Sequence, residues 1–172
     1  NLDGTNPVAL SSGYFSYHEF VHPIAAPPTY PGTAGDDLCL QTSVNGAFDG
    51  DIKTITAGDA VSISVSSGSG GLVGQTFALA AQAFPTGGSI PHPSGITSIW
   101  LNPAITPAPV ILFNSATTAF GAVGLAPEGF SVSVGVPAGL SGVSFMIQAA
   151  VTGFAAANGV FATSAAHELQ AL

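Results

Sequence analysis

The chain has 172 residues, enough for one domain burying roughly 70% of its unfolded surface, and its single Cys39 excludes an intrachain disulfide. One basic residue, Lys53, stands against nine acids for a net charge of -8, and only 6% of the chain is charged, against about 25% in an ordinary soluble domain. That balance excludes phosphate neutralisation on nucleic acid and docking on anionic lipid. No apolar run approaches the ~20 residues of a membrane helix; the longest, over residues 77–84, carries Gln82.

Residues 1–13 are rich in turn signals around one apolar patch, Val8, Ala9 and Leu10. They read as an N-terminal extension or edge strand able to add to a neighbouring copy's sheet. The opening at Asn1, without Met or signal segment, is read as a mature exported chain, with an engineered fragment as the alternative. Residues 14–21 alternate aromatic and polar side chains and predict a strand. Prolines 23, 27, 28 and 31 then make an extended loop.

Residues 37–44 place Leu38, Leu40, Thr42 and Val44 on one face of a half-buried strand, with Cys39 expected as a small buried hydrophobe. Short strands are predicted over 51–56, 61–65, 75–84, 96–101 and 109–113, and a helical turn over 116–120. The strongest pair is 129–136 and 143–151, joined by Pro137-Ala-Gly-Leu-Ser-Gly142. A weaker copy of this strand–turn–strand unit precedes it: Val61-Ser-Ile-Ser-Val65, then Gly71, Leu72, Gly74, Phe77 and Leu79, which correspond to Gly139, Leu140, Gly142, Phe145 and Ile147. Residues 161–169 predict a closing strand, with a helix over 162–172 as the alternative. The pattern predicts an all-β fold: a two-layer antiparallel β-sandwich, jelly-roll-like, of about ten short strands with little helix, residues 14–172 forming its single domain. Several strands are apolar on both faces, so their outer faces need cover from loops or another subunit.

His18-Glu19-Phe20-Val21-His22 matches the H-E-x-x-H zinc signature, which needs a helix to bring both histidines to one ion. Pro23 directly after His22 opposes that helix, so His18, Glu19 and His22 are the minor candidate, a zinc-dependent hydrolase. Asp36, Asp37, Asp49 and Asp51 are oxygen ligands on loops and form a calcium candidate; the plainer reading is solvated turn acids. Trp100, Tyr14, Tyr17 and Tyr30 could offer platforms to a neutral polysaccharide, against packing of the same rings in core or interface. Gln148 is expected to pair buried backbone. No nucleophile motif occurs, so no catalytic residue is assigned and no cofactor beyond calcium is expected.

Several phrases together carry a resemblance: Pro31-Gly-Thr-Ala-Gly-Asp-Asp-Leu38, Val44-Asn-Gly46, Ala57-Gly-Asp59, Pro137-Ala-Gly-Leu140, Gln148-Ala149 and Ala157-Asn-Gly159 through Ala165-Ala-His-Glu-Leu169. The chain resembles a group of exported, sparsely charged, β-rich proteins of planctomycetes and other environmental bacteria. The resemblance implies export and a β-sandwich and carries over no catalytic residue. The expected role is a non-enzymatic, secreted structural subunit whose partners are copies of itself, in a filament, sheath or surface layer.

Overall fold

A computed structural model describes residues 27–93, 96–119 and 121–172. The extension with Val8, Ala9 and Leu10, the strand over 14–21 with Tyr14 and Tyr17, and the His18, Glu19, His22 motif lie outside the described residues. Among the described residues there are nine strands: β1 Leu38–Val44, β2 Ile52–Ile55, β3 Ala60–Ser67, β4 Phe77–Pro85, β5 Val110–Asn114, β6 Phe130–Gly135, β7 Val143–Thr152, β8 Phe161–Thr163 and β9 His167–Ala171. A three-stranded sheet runs β1-β3-β6, and a six-stranded sheet runs β2-β9-β7-β4-β5 with β8 also on β7. Pairing is antiparallel except between β2 and β9, which run parallel. The fold is all-β, two sheets packed face to face.

Period-two alternation fills the space between the sheets. Leu38, Leu40, Val61, Ile63 and Val65 point in from the small sheet, and Leu79, Ile147, Ala149, Val151 and Leu169 from the large one. Each fully buried aliphatic side chain contributes roughly 1.5–3 kcal/mol.

The sequence repeat becomes a structural one. Each unit is an arch whose first strand lies in the small sheet and whose second lies in the large sheet. The units pair strand for strand, β3 antiparallel to β6 and β4 antiparallel to β7. Ile63 sits opposite Val132, and Ala80 opposite Gln148. The arches turn alike: Gln75 N donates to Leu72 O (3.2 Å) and Val143 N to Leu140 O (3.0 Å). Gly74 and Gly142 both adopt left-handed φ, 82° and 83°, where a Cβ would be strained.

The two outer faces are solved differently. On the small sheet, Ser62 and Ser64 of β3 hydrogen-bond Ser133 and Ser131 of β6 (2.7 and 3.1 Å), a hydroxyl ladder facing water. On the large sheet, Ala80, Gln82, Phe84, Met146 and Gln148 are buried beneath the chain's own connections, residues 27–33 and 96–109. Gln82 holds the second connection by accepting from Asn102 N (2.7 Å) and donating to the carbonyls of Asn102 and Pro107 (3.0 and 2.7 Å). Gln148 accepts from Trp100 N (2.9 Å) and donates to Ser98 O and Ser164 O (2.7 and 2.9 Å). Gln148 therefore satisfies backbone, as expected, and the doubly apolar strands receive cover from loops.

Four expectations are corrected. Residues 96–101 form turns and irregular chain, because side-chain amides take the place of a strand ladder there. Residues 161–169 are two strands, β8 and β9, broken where Ser164 Oγ donates to Ala165 O (2.7 Å) and Ser164 N bonds Ala149 O (3.0 Å). The alternative helix at the end of the chain is replaced by β9. Cys39 is exposed, since Leu38 and Leu40 take the inward phase of β1. A 3-10 turn at Ser115–Thr117, capped by Asn114 Oδ1 on Ala116 N (3.0 Å), stands where a helical turn was expected.

Candidate functional site

Among the described residues both sheets end in strands paired on one side only: β6 bonds β3, and β5 bonds β4. These two edges face each other across one side of the sandwich. Next to Val134 and Val136 opens an inter-sheet groove of about 160 Å³ whose other walls are Leu112 of β5, Phe145 of β7, Leu169 of β9 and Ile55 of β2, so it runs across the large sheet from its β5 edge to its β2 edge. No charged side chain lines it. Two exposed aliphatic side chains line it, Leu112 of β5 (48%) and Val134 of β6 (49%); Val110 and Ile111 of β5 are also exposed, Ile111 on the outer face opposite Ala80. Val134 reaches the rim because β6 alternates inward Phe130, Val132 and Val134 with outward serines. Three consecutive exposed aliphatics on β5 arise where its register against β4 shifts between Leu79 and Ala80.

The internal repeat provides a measure of how uncovered this groove is. In the first arch Leu72 and Phe77 are buried; residues 124–125 seal it, with Gly74 N donating to Leu125 O and Leu125 N to Gln75 O (2.8 Å each). Phe77, Phe113 and Phe130 pack together at 4.3–5.4 Å on that side. In the second arch the corresponding Leu140 and Phe145 are only half-buried and line the groove. The groove holds no nucleophile, base or cation; what it offers is desolvation of an apolar partner.

The buried polar groups lie elsewhere and are structural. Tyr30 donates its hydroxyl to Glu168 Oε2 (2.5 Å) beneath the connection over 27–33. Burial first, then that bond and the nearby Glu168 and Asp51 charges, hold the phenol well above its ordinary pKa, so it stays a donor. His167 Nδ1 lies 2.8 Å from Thr42 Oγ1, bridging the sheets. Burial, with the Lys53 ammonium next, pushes its pKa down to about 4, against weaker raising effects of Asp51 and the Leu40 backbone. Lys53 is itself buried, its ammonium donating to Gly50 O; burial lowers its pKa while Asp51 and Asp49 oppose.

The sequence candidates are placed as follows. Asp36 and Asp37 precede β1 and Asp49 and Asp51 follow it, so the four carboxylates split between the two ends of a strand about 20 Å long. Asp37 accepts from Ser67 Oγ (2.9 Å), Ser69 Oγ (2.6 Å) and Ser69 N; the Ser69 hydroxyl is the largest cause of its lowered pKa. Asp36 accepts from Ala157 N (2.7 Å), and Asp51 from Thr29 N and Oγ1 (2.5 and 3.2 Å). The four do not form one calcium site, and among the described residues no cluster of three or more His, Cys, Asp or Glu is placed to hold a metal ion. Their bonds organise turns.

Tyr30 is 4% exposed and presents no face to a sugar. Trp100 is half-buried between Tyr30 (5.1 Å) and an edge-on His92 (4.4 Å), its Nε1 donating to Pro31 O (2.8 Å). Both rings pack, because they fasten the two connections to the large sheet and to each other. The groove residues went unassigned in the sequence; Val110-Ile-Leu112 after Pro109, an apolar run without alternation, was the available signal. Among the described residues no helix is long and apolar enough to cross a membrane. Compared with known proteins, the chain matches no family model, and no curated protein matches it.

Proposed function

We propose that this chain is a non-enzymatic extracellular structural subunit that associates with copies of itself into a filament, sheath or surface layer. The observation that carries the reading is the apolar inter-sheet groove lined by the exposed Leu112 of β5 and Val134 of β6, two strands that among the described residues are each paired on one side only. Edges of this kind are normally blunted by charge, proline or cover, and contiguous exposed apolar surface marks an interaction site. Here no charged side chain lines the groove, and the lone Lys53 is buried.

A surface of serine, threonine, glycine and alanine costs little to desolvate, which favours close packing of copies. A groove of one copy, met by a different surface of the next, makes a head-to-tail contact that propagates instead of closing. Sedimentation and negative-stain imaging of the purified full chain test the reading. Extended or sheet-like particles that dissolve on dilution are expected. A stable monomer at high concentration overturns it.

A further inference from the structure

We infer that the groove is a strand slot beside β6, and that residues 8–10 of a neighbouring copy fill it; this deepens the self-assembly reading and rests on it. The internal repeat locates the slot. Around the arches, β3 corresponds to β6 and β4 to β7, with Val61, Ile63 and Val65 matching Phe130, Val132 and Val134. β3 is flanked on its far side by β1, whose Leu40 lies opposite Val65 and whose Leu38 lies opposite Ser67. β6 has no counterpart of β1 among the described residues. The groove lies where the inward side chains of such a strand would project, next to Val134, Val136 and Leu140.

The free edge of β6 is suited to pairing. Val136 N bonds Asp59 O and Val136 O accepts from Gly58 N (2.8 and 2.9 Å) on the β3 side. By the alternation of an antiparallel ladder, the backbone groups of Ser133 and Gly135 therefore face outward.

The occupant follows from the template and from the lining. β1 begins Leu38-Cys39-Leu40, aliphatic, small, aliphatic; Val8-Ala9-Leu10 repeats that order. Pro7 immediately before it is tolerated at the start of a strand. The stretch over 14–21 would carry either Glu19 or His18 into a groove with no charged lining group, and burying an unpaired polar group there is unfavourable. Transferring the β1 register to β6 sets Val8 opposite Val136, Ala9 opposite Gly135 and Leu10 opposite Val134, antiparallel.

The contact is directional. The connection from Pro27 onward is fastened at the β2–β9 side, through Thr29 on Asp51 and Tyr30 on Glu168, whereas β6 is the last strand of the small sheet among the described residues. Sixteen residues lie between Leu10 and Pro27, a span of up to about 55 Å when extended, against a large sheet about 19 Å across from β2 to β5. That reach is enough for residues 8–10 to cross to β6 of a neighbouring copy, and a segment of one copy held by a different surface of the next adds subunits head to tail.

The test is disulfide trapping in the full chain carrying Cys39→Ser, Leu10→Cys and Val134→Cys. Directly opposed residues of an antiparallel pair bring Cα atoms about 4.5–5.5 Å apart, within disulfide reach. Mild oxidation of assembled material should give a covalent ladder of oligomers that neither single-cysteine variant gives. A cross-link within one chain only would overturn the inference, since the segment would then close its own groove. Covalent dimers from Val134→Cys alone would also overturn it, showing β6 meeting β6. As a check independent of cysteine chemistry, Leu10→Asp should raise the concentration needed for assembly at least about a hundredfold and leave the thermal transition of the monomer unchanged. Particles that persist without cross-linking, or that ignore Leu10→Asp, overturn the donor assignment but leave self-assembly standing. Absence of particles in the unmodified chain removes both.

Discussion

Val134→Asp separates assembly from folding. Val134 sits on the groove rim at the end of β6, 49% exposed, so roughly half its side chain remains to be buried when a neighbour arrives. Half of a valine is worth about 1 kcal/mol by transfer. An aspartate there also brings a carboxylate into a lining without a charged partner, which costs about 2–3 kcal/mol more even with partial solvation. Together these weaken one contact by about 3–4 kcal/mol, a shift of two to three orders of magnitude in the concentration for assembly. The isolated subunit should lose no more than about 1 kcal/mol, because the position is half in water. Pelleting against concentration reads the first quantity and urea unfolding the second. Ser131→Asp is the control: same strand, same added charge, opposite face. Assembly of Val134→Asp at the unmodified concentration, or equal impairment by Ser131→Asp, would refute the role given to the groove.

Gln148→Leu should destabilise the fold by about 2–5 kcal/mol, because Trp100 N and Ser164 O lose their side-chain partner while Ser98 O keeps Thr163 Oγ1 (2.8 Å); a loss below about 0.5 kcal/mol in urea unfolding would contradict this. His167, with a folded pKa of about 4 below its unfolded value of 6.5, contributes stability that is fully present above pH 6.5. That contribution declines as pH falls towards 4, by up to about 1.4 kcal/mol per pH unit. His167→Asn should flatten the stability profile between these limits, and an unchanged slope would show that another group titrates there. A Cβ at Gly32 would lie 2.3 Å from Thr163 O. Gly32→Ala should therefore lift the connection carrying Tyr30 and lower the melting temperature by several degrees; an unchanged melt would mean that this strap adds little to stability.

Strands were legible wherever one face is dry and the other wet. β1, β3 and β6 alternate aliphatic residues with serine, threonine or cysteine, and period two suffices to place them. What alternation cannot encode is the identity of a distant partner. The parallel match of β2 to β9 depends on chain segments over a hundred residues apart, and nothing local to Ile52–Ile55 reports it. Residues 96–101 carry Ile and Trp in strand-like order, yet Gln148 and Gln82 bond Trp100 N and Asn102 N from another layer, so tertiary contacts override the local preference. The aromatic candidates misled for a related reason. A tyrosine or tryptophan in a turn-rich connection looks exposed until the strand beneath it is known to be apolar on its outer side, and Met146 and Phe84 are what Tyr30 and Trp100 cover.

That cover also changes where assembly should be sought. Composition alone places the apolar excess all over the exterior, since β4 and β7 are apolar on both faces. The fold removes most of it: loops roof the large sheet, and serines face outward on the small one. Exposed apolar side chains remain at several places, Phe48, Phe154, Val160 and Leu172 among them, but Leu112 and Val134 also line an inter-sheet groove, next to the second arch, while the same position beside the first arch is filled by β1 and sealed by residues 124–125. A nearly uncharged surface then acts through its geometry more than through its composition. Serine and alanine make approach cheap everywhere, but the β6 edge, one-sided among the described residues, also borders the apolar groove through Val134 and Val136. If association depended on general greasiness, charge added at Ser131 and at Val134 would be equally disruptive; dependence on one edge requires them to differ by orders of magnitude.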